Sequence, residues 1–330
     1  MNRAKKNNQS GRSVPGKNLG YVGIRHAFGD CFLCALPDGR AYGACGMMAG
    51  SPNRVSSSDV VPWTVEAQFS LVGRTAVITG GGGVICGALA EGYLKAGAKV
   101  VLWGHHISTL NDKKQELTKR GCLSENIFCQ EADLMDEVQI IKTLKETVSA
   151  VGPIDILLNG VGGSSKRLSL VDTDIAEYES VIKLNLLGGC LLPAKQFSRY
   201  WIEHKIPAAI INLASMGSYN PLSGAYAYSA AKAAVENHTR AMARELAPYN
   251  IRVNAIAPGF FLGKQNRSLL TNDNGSLTER GKNIISRTPF GRFGQAEELC
   301  GTAIFLASAA SGFISGATIP VDGAYLCDNI

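Results

Sequence analysis

A short apolar run that empties into four glycines constrains this chain most. Thr75-Ala76-Val77-Ile78-Thr79 is rich in β-formers, Gly80 to Gly83 follow without a break, and a helical pattern then runs from about Val84 to Lys95. Strand, glycine turn and helix together open a unit whose helix crosses over to a parallel neighbouring strand. Further apolar runs recur at 100–103, 125–129, 155–159, 209–213, 251–256 and 317–321. Helical stretches separate them, notably about 174–204 and 225–246. The runs are apolar throughout rather than alternating, as strands covered on both faces must be. The expected fold is α/β, a doubly wound seven-stranded parallel sheet forming a single domain over residues 66–330. The helix after Asp133 is expected to bury Val138, Ile141, Leu144 and Val148 as one stripe.

Residues 1–65 break this pattern. They lack periodicity, are rich in Gly, Ser, Asn and Pro, and read as a mostly irregular, basic extension. Eight Lys/Arg against three Asp before residue 63 account for most of the net charge of +6, so the remainder is almost neutral. Nothing in that remainder offers a nucleic-acid surface, and no segment is apolar for long enough to span a bilayer. Cys31-x-x-Cys34 lacks a second pair and does not read as a metal site. Nine cysteines scattered through core segments suit reduced thiols and a cytoplasmic protein, although the extension leaves organellar targeting open.

In such a sheet ligands bind beyond the carboxyl ends of the strands. The glycine turn, Asn159, Ser215 and Pro258-Gly259 all follow strand ends and should converge on one edge. Bare backbone at Gly80, Gly82 and Gly83, with the first helical amides at Val84 and Ile85, suits a pyrophosphate. The expected cofactor is a dinucleotide, NAD or NADP in the family resemblance set out below. An acid after the second strand would bind a ribose 2′-hydroxyl and repel a 2′-phosphate. This chain has Gly104-His105-His106 there, which leans to NADP with His105 as a contact. On the helix near 225–246, Tyr228 and Lys232 are one turn apart on one face. A phenol and an ammonium held that close can exchange a proton with a substrate.

Glycine turn, Asn185, Ser215 and Tyr228-Ser229-Ala230-Ala231-Lys232, in that order, resemble the short-chain dehydrogenase/reductase family over roughly residues 66–330. The resemblance implies a Rossmann-type fold and hydride transfer between nicotinamide and a carbonyl or secondary alcohol. It implies Tyr228 as general acid or base, and Lys232 lowering the tyrosine's pKa and holding the nicotinamide ribose. Ser215 would hold the substrate oxygen, and Asn185 would fix a water beside Lys232. Asp133-Leu134 stands at the family's adenine-flanking pair, and Asn159-Gly160-Val161-Gly162 at its Asn-Asn-Ala-Gly turn. Val84 and Cys86 stand where the family has glycines, a departure at the phosphate turn.

The segment 260–294 looks like that of sugar-acid members, the D-mannonate oxidoreductase and gluconate 5-dehydrogenase-like group. An anionic substrate would then meet Lys264 or Arg267 beside Ser215. Two other readings remain: a 3-oxoacyl-thioester reductase, which shares the tetrad, and a non-catalytic NAD(P)-binding scaffold or sensor. The latter would be expected to lose Tyr228 or Lys232. A homotetramer is expected. Small residues at 188, 189, 194, 230, 233, 234 and 241 would let two long helices meet their copies, and the resemblance adds a second axis near 319–325.

Overall fold

A computed structural model of the chain describes residues 63–164, 167–263 and 267–328. The extension through residue 62, with its Cys31-x-x-Cys34 pair, lies outside the described residues. Seven strands form: β1 (Thr75–Thr79), β2 (Lys99–Gly104), β3 (Ile127–Glu131), β4 (Ile156–Asn159), β5 (Ala208–Leu213), β6 (Ile251–Pro258) and β7 (Thr318–Val321). All pair in parallel, in the order β3-β2-β1-β4-β5-β6-β7. The winding reverses between β1 and β4, which makes their carboxyl ends the switch point. Every residue of β1, β4 and β5 is buried, as apolar runs without alternation require.

The helices are α1 (Val65–Phe69), α2 (Val84–Lys95), α3 (Ile107–Lys119), α4 (Glu137–Val151), α5 (Ile175–Ile182), α6 (Leu192–His204), α7 (Tyr226–Leu246), α8 (Arg267–Leu270), α9 (Glu279–Ser286) and α10 (Cys300–Ala307). One face of the sheet carries a core of Ile78, Leu89, Tyr93, Leu102 and Leu306 under α2, α3 and α10. The other carries Trp103, Ile140, Phe197, Trp201 and Ile210 under α4 and α6. Asp136 and Asp174 cap α4 and α5 by accepting from their first amides.

Three details differ from the sequence reading. The buried stripe of α4 is Ile140, Thr143, Leu144 and Thr147, while Val138 is 75% exposed. The Asp136 cap fixes where the helix starts, and Thr147 turns inward because its hydroxyl accepts from the Trp103 indole at 3.2 Å. The long 174–204 stretch is helical but not uniform, because Lys183–Leu191 between α5 and α6 is wound as a π-helix. Gly188, Gly189 and Ala194 are buried within the chain rather than left for a partner. A Cβ on Gly188 would come within 2.7 Å of Met135 Sδ, and one on Gly189 would collide with the Val161 carbonyl. Gly188 thus lets the π segment back onto the loop after β3, and Gly189 onto the loop after β4. The alanines at 230, 233 and 241 are exposed on α7, as expected.

Candidate active site

The turn after β1 is built for close backbone approach. Gly80 has φ +69°, a conformation that favours glycine, and a Cβ there would crowd the Gly160 backbone at 3.2 Å. A Cβ on Gly82 would lie 2.7 Å from Thr109 Cγ2 on α3. Gly83 caps α2 without a side chain, so the amides of Val84 and Ile85 open a twelve-residue helix facing the cleft. Bare backbone followed by a helix N-terminus fits a dinucleotide's pyrophosphate.

Cys86 explains how the turn tolerates a missing glycine. Its side chain is buried, and a Cβ on Gly160 would collide with its sulfur. The thiol donates weakly to the Gly160 carbonyl at 3.6 Å, and burial pushes it up to about 12, so it stays neutral. The bulk lost at residue 160 is thus taken up by the sulfur at residue 86, and helix and turn still meet closely.

Asn159 is fully buried and its Nδ2 donates to Asn212 Oδ1 on β5 at 2.9 Å. Asn212 in turn donates to Thr239 on α7 at 2.9 Å, a polar chain that ties the tyrosine helix to the sheet centre. Thr79 Oγ1 accepts from Gly160 N at 2.9 Å and so joins the turns after β1 and β4. Asp133 accepts from Met135 N and stands 3.9 Å from His105 Nε2, while Leu134 beside it is buried. Gly259, after Pro258 at the end of β6, lies so close to Asp322 that a Cβ would come within 2.6 Å of its Cα.

The reacting end lies beyond β4 and β5. Ser215 follows β5, is buried, and accepts from Gly217 N at 3.0 Å, which fixes its hydroxyl. Tyr228 and Lys232 lie on α7, with Lys232 Nζ 5.8 Å from the centre of the Tyr228 ring. Lys232 is buried and donates to the Leu213 carbonyl at 2.7 Å. Burial lowers its pKa to about 8. An ammonium has three donors, and Leu213 takes one of them. Burial raises Tyr228 above the usual phenol range, and a hydrogen bond with Ser215 offsets part of that rise. At neutral pH the site therefore holds a protonated phenol, ready to donate to a carbonyl oxygen.

Asn185 is fully buried in the π segment and its amide is spent on backbone. Nδ2 donates to Gly163 O at 2.7 Å and Val181 O at 2.9 Å, and Oδ1 accepts from Gly163 N at 3.1 Å. It clamps the loop after β4 beside Lys232. Gly162 makes room for this, since a Cβ there would lie 2.6 Å from Asn185 Oδ1 and 3.1 Å from Lys232 Nζ.

The residues expected to meet an anionic substrate fare differently. Lys264 lies outside the described residues, and Arg267 is exposed at the start of α8. An arginine that the sequence reading did not place in the site lies beside the cleft instead. Arg167, after the β4 loop, donates to the Ser223 carbonyl at 2.7 Å, beside the cleft lined by Ser164, Tyr178, Gly224 and Tyr228. Burial and the neighbouring Arg280 guanidinium of α9 both hold Arg167 below the usual guanidinium range. Among the described residues, neither arginine has a carboxylate partner.

Residues 83–325 match the family model described as enoyl-(acyl carrier protein) reductase. The uncharacterized oxidoreductase UxuB of Bacillus subtilis strain 168 is 38% identical over 273 residues, which is 78% of this chain and 96% of that protein. A gluconate 5-dehydrogenase from Burkholderia cenocepacia J2315, solved with NADP and tartrate, has a TM-score of 0.72 at 33% identity, over 80% of this chain and 99% of that one. A Haemophilus influenza structure with bound NAD, proposed to be a D-mannonate oxidoreductase, also has a TM-score of 0.72, at 32% identity over 81% and 99% of the two chains. With this sheet order, this glycine turn and these matches, the chain belongs to the short-chain dehydrogenase/reductase family, whose members are NAD(P)-dependent oxidoreductases acting on CH–OH groups.

Proposed function

We propose that this enzyme interconverts a secondary alcohol and a ketone on a sugar acid, with the substrate carboxylate held by Arg167. The observation that carries the reading is Arg167, without a carboxylate partner among the described residues, bonded to the Ser223 carbonyl and packed against Gly224, which lines the Tyr228 cleft. A guanidinium with no carboxylate beside it at a cleft favours an anion, and its planar fork binds a carboxylate through two parallel hydrogen bonds. Bound nicotinamide cofactor supplies or accepts the hydride. Ser215 holds the substrate oxygen and Tyr228 gives it a proton in reduction or takes one in oxidation. Lys232 holds the ribose, and Asn185 keeps the loop beside it in place. The catalytic domain is residues 66–330. Exposed Leu170, Val171 and Ile175, with the bare alanines of α7, support assembly as a homotetramer. The free thiols support a cytoplasmic setting.

The test is a panel of substrates with NADH and NADPH: keto-hexonates, the matching neutral keto-sugars, and a 3-oxoacyl thioester. Turnover of a keto-hexonate at least about a hundredfold above its neutral partner, lost in Arg167→Gln, supports the reading. Preference for the thioester would replace it with the acyl-reductase alternative.

A further inference from the structure

The chain leaves β6 at the reacting end. Pro258 closes that strand, and Ala214 N, one residue before Ser215, donates to the Ile256 carbonyl at 2.8 Å. A nicotinamide ring that reacts beside Ser215, Tyr228 and Lys232 therefore has residues 258–260 on its border. What backs these residues is the turn 322–327, which follows β7. Gly259 N donates to the Val321 carbonyl at 2.9 Å, and a Cβ on Gly259 would collide with Asp322. The Asp322 carboxylate fastens the turn by accepting from Ala324 N at 3.0 Å and Leu326 N at 2.9 Å. Ala324 takes φ +70°, a left-handed conformation that a residue with a Cβ adopts only under constraint. The next residue, Tyr325, meets Phe260 edge to face with ring centroids 5.2 Å apart. Phe260 is tied through its carbonyl as well, which accepts from Gly294 N at 2.9 Å. Tyr325 is half-buried and belongs to neither core of the sheet, so packing of the sheet does not explain the strained turn.

We infer that Tyr325 is a positioning residue: its ring on Phe260 keeps the backbone of 258–260 against the nicotinamide and so holds that ring still for hydride transfer. Backbone strain persists where the surrounding structure over-determines it, and it gathers at places that clamp a ligand. The hydride chemistry belongs to the cofactor, and the protein's share is to orient the reacting atom. Loss of that orientation lowers the rate even when the cofactor stays bound. The pyrophosphate and adenosine are held elsewhere, at the glycine turn and near Asp133. Tyr325 therefore governs the order of the bound nicotinamide more than the affinity for the whole dinucleotide. None of this depends on which carbonyl compound the enzyme takes.

The test is the fluorescence of NADH and NADPH bound to the full chain, since the reduced nicotinamide is itself the fluorophore. Tyr325→Ala should bind both within about tenfold of wild type, the most that one aromatic pair contributes. At saturation the anisotropy of the bound ring should nevertheless fall by about a third or more, because nanosecond motion is restored to it. Tyr325→Phe keeps the aromatic edge and should match wild type. Tyr325→Leu keeps apolar bulk without that edge and should behave as the alanine variant. ADP-ribose, which lacks the nicotinamide, should bind every variant within about twofold of wild type. Anisotropy of wild-type height in the alanine and leucine variants would overturn the inference, as would its loss in Tyr325→Phe. A matching loss of ADP-ribose binding would also overturn it, by making Tyr325 a support of the whole fold. Failure of wild type to bind either dinucleotide would remove the cofactor site itself, and this inference with it.

Discussion

Gly162→Ala probes the junction on which the catalytic lysine and the π segment depend. The new methyl carbon would lie 2.6 Å from Asn185 Oδ1, short of ordinary contact by about 0.8 Å, and 3.1 Å from Lys232 Nζ. Its nearest neighbours are all atoms of the Asn185 and Lys232 side chains, and the clash is worst with Asn185, so Asn185 is the group that must move first. That strains or breaks its two bonds to Gly163, at 2.7 and 3.1 Å. Each bond contributes about 1 kcal/mol net, and leaving the buried amide unpartnered adds more, so a loss of about 2–4 kcal/mol follows. For a domain of this size that is a fall in Tm of about 5–12 °C. Lys232 is displaced as well, and a misplacement of about 1 Å at a reacting centre costs about a hundredfold in rate. Thermal denaturation and turnover with saturating cofactor read the two effects. In Gly162→Ala/Asn185→Ala the collision is gone, so the added methyl should cost less than about 1 kcal/mol while turnover stays low. Wild-type Tm with turnover within about threefold in Gly162→Ala would refute the reasoning.

Three further outcomes follow from the same geometry. With Tyr228 held above the usual phenol range, alcohol oxidation should speed up with rising pH as the phenol loses its proton. Ketone reduction should stay flat near neutrality, and affinity for either cofactor should fall as Lys232 loses its charge through about pH 8. Gly160→Ala should lose about 1–3 kcal/mol by denaturant unfolding. Cys86→Gly should recover only part of that, because the Thr79 carbonyl stays within 2.7 Å of the added carbon. Light scattering at micromolar concentration should give a tetramer mass; a monomer would remove the interface reading of Leu170, Val171 and Ile175.

What could be read from the residues alone was whatever periodicity or spacing fixes locally. Fully buried strands declare themselves as apolar runs, and Tyr228 and Lys232 share a face by helical arithmetic. Helix α3 could not be bounded from its residues because only Leu110, Lys113 and Leu117 turn inward and its sequence is otherwise polar. The phase of α4 was misread because a threonine–indole hydrogen bond turned Thr147 inward and left Val138 outside. The exchange of bulk between Cys86 and Gly160 joins residues 74 apart in the chain, and no local pattern carries that. Arg167 escaped for the same reason, since only the fold brings it against Ser223 and Gly224. Its one sequence signal was a basic residue soon after the Asn159-Gly160-Val161-Gly162 turn.

The central claim is that Tyr228 exchanges the proton that accompanies hydride transfer, and Tyr228→Phe tests it most directly. The phenyl ring keeps the packing and leaves Lys232 bonded to Leu213. The variant should bind NADH and NADPH within about threefold of wild type while turnover falls by about two to four orders of magnitude. Turnover close to wild type, with the cofactor still bound, would contradict the account.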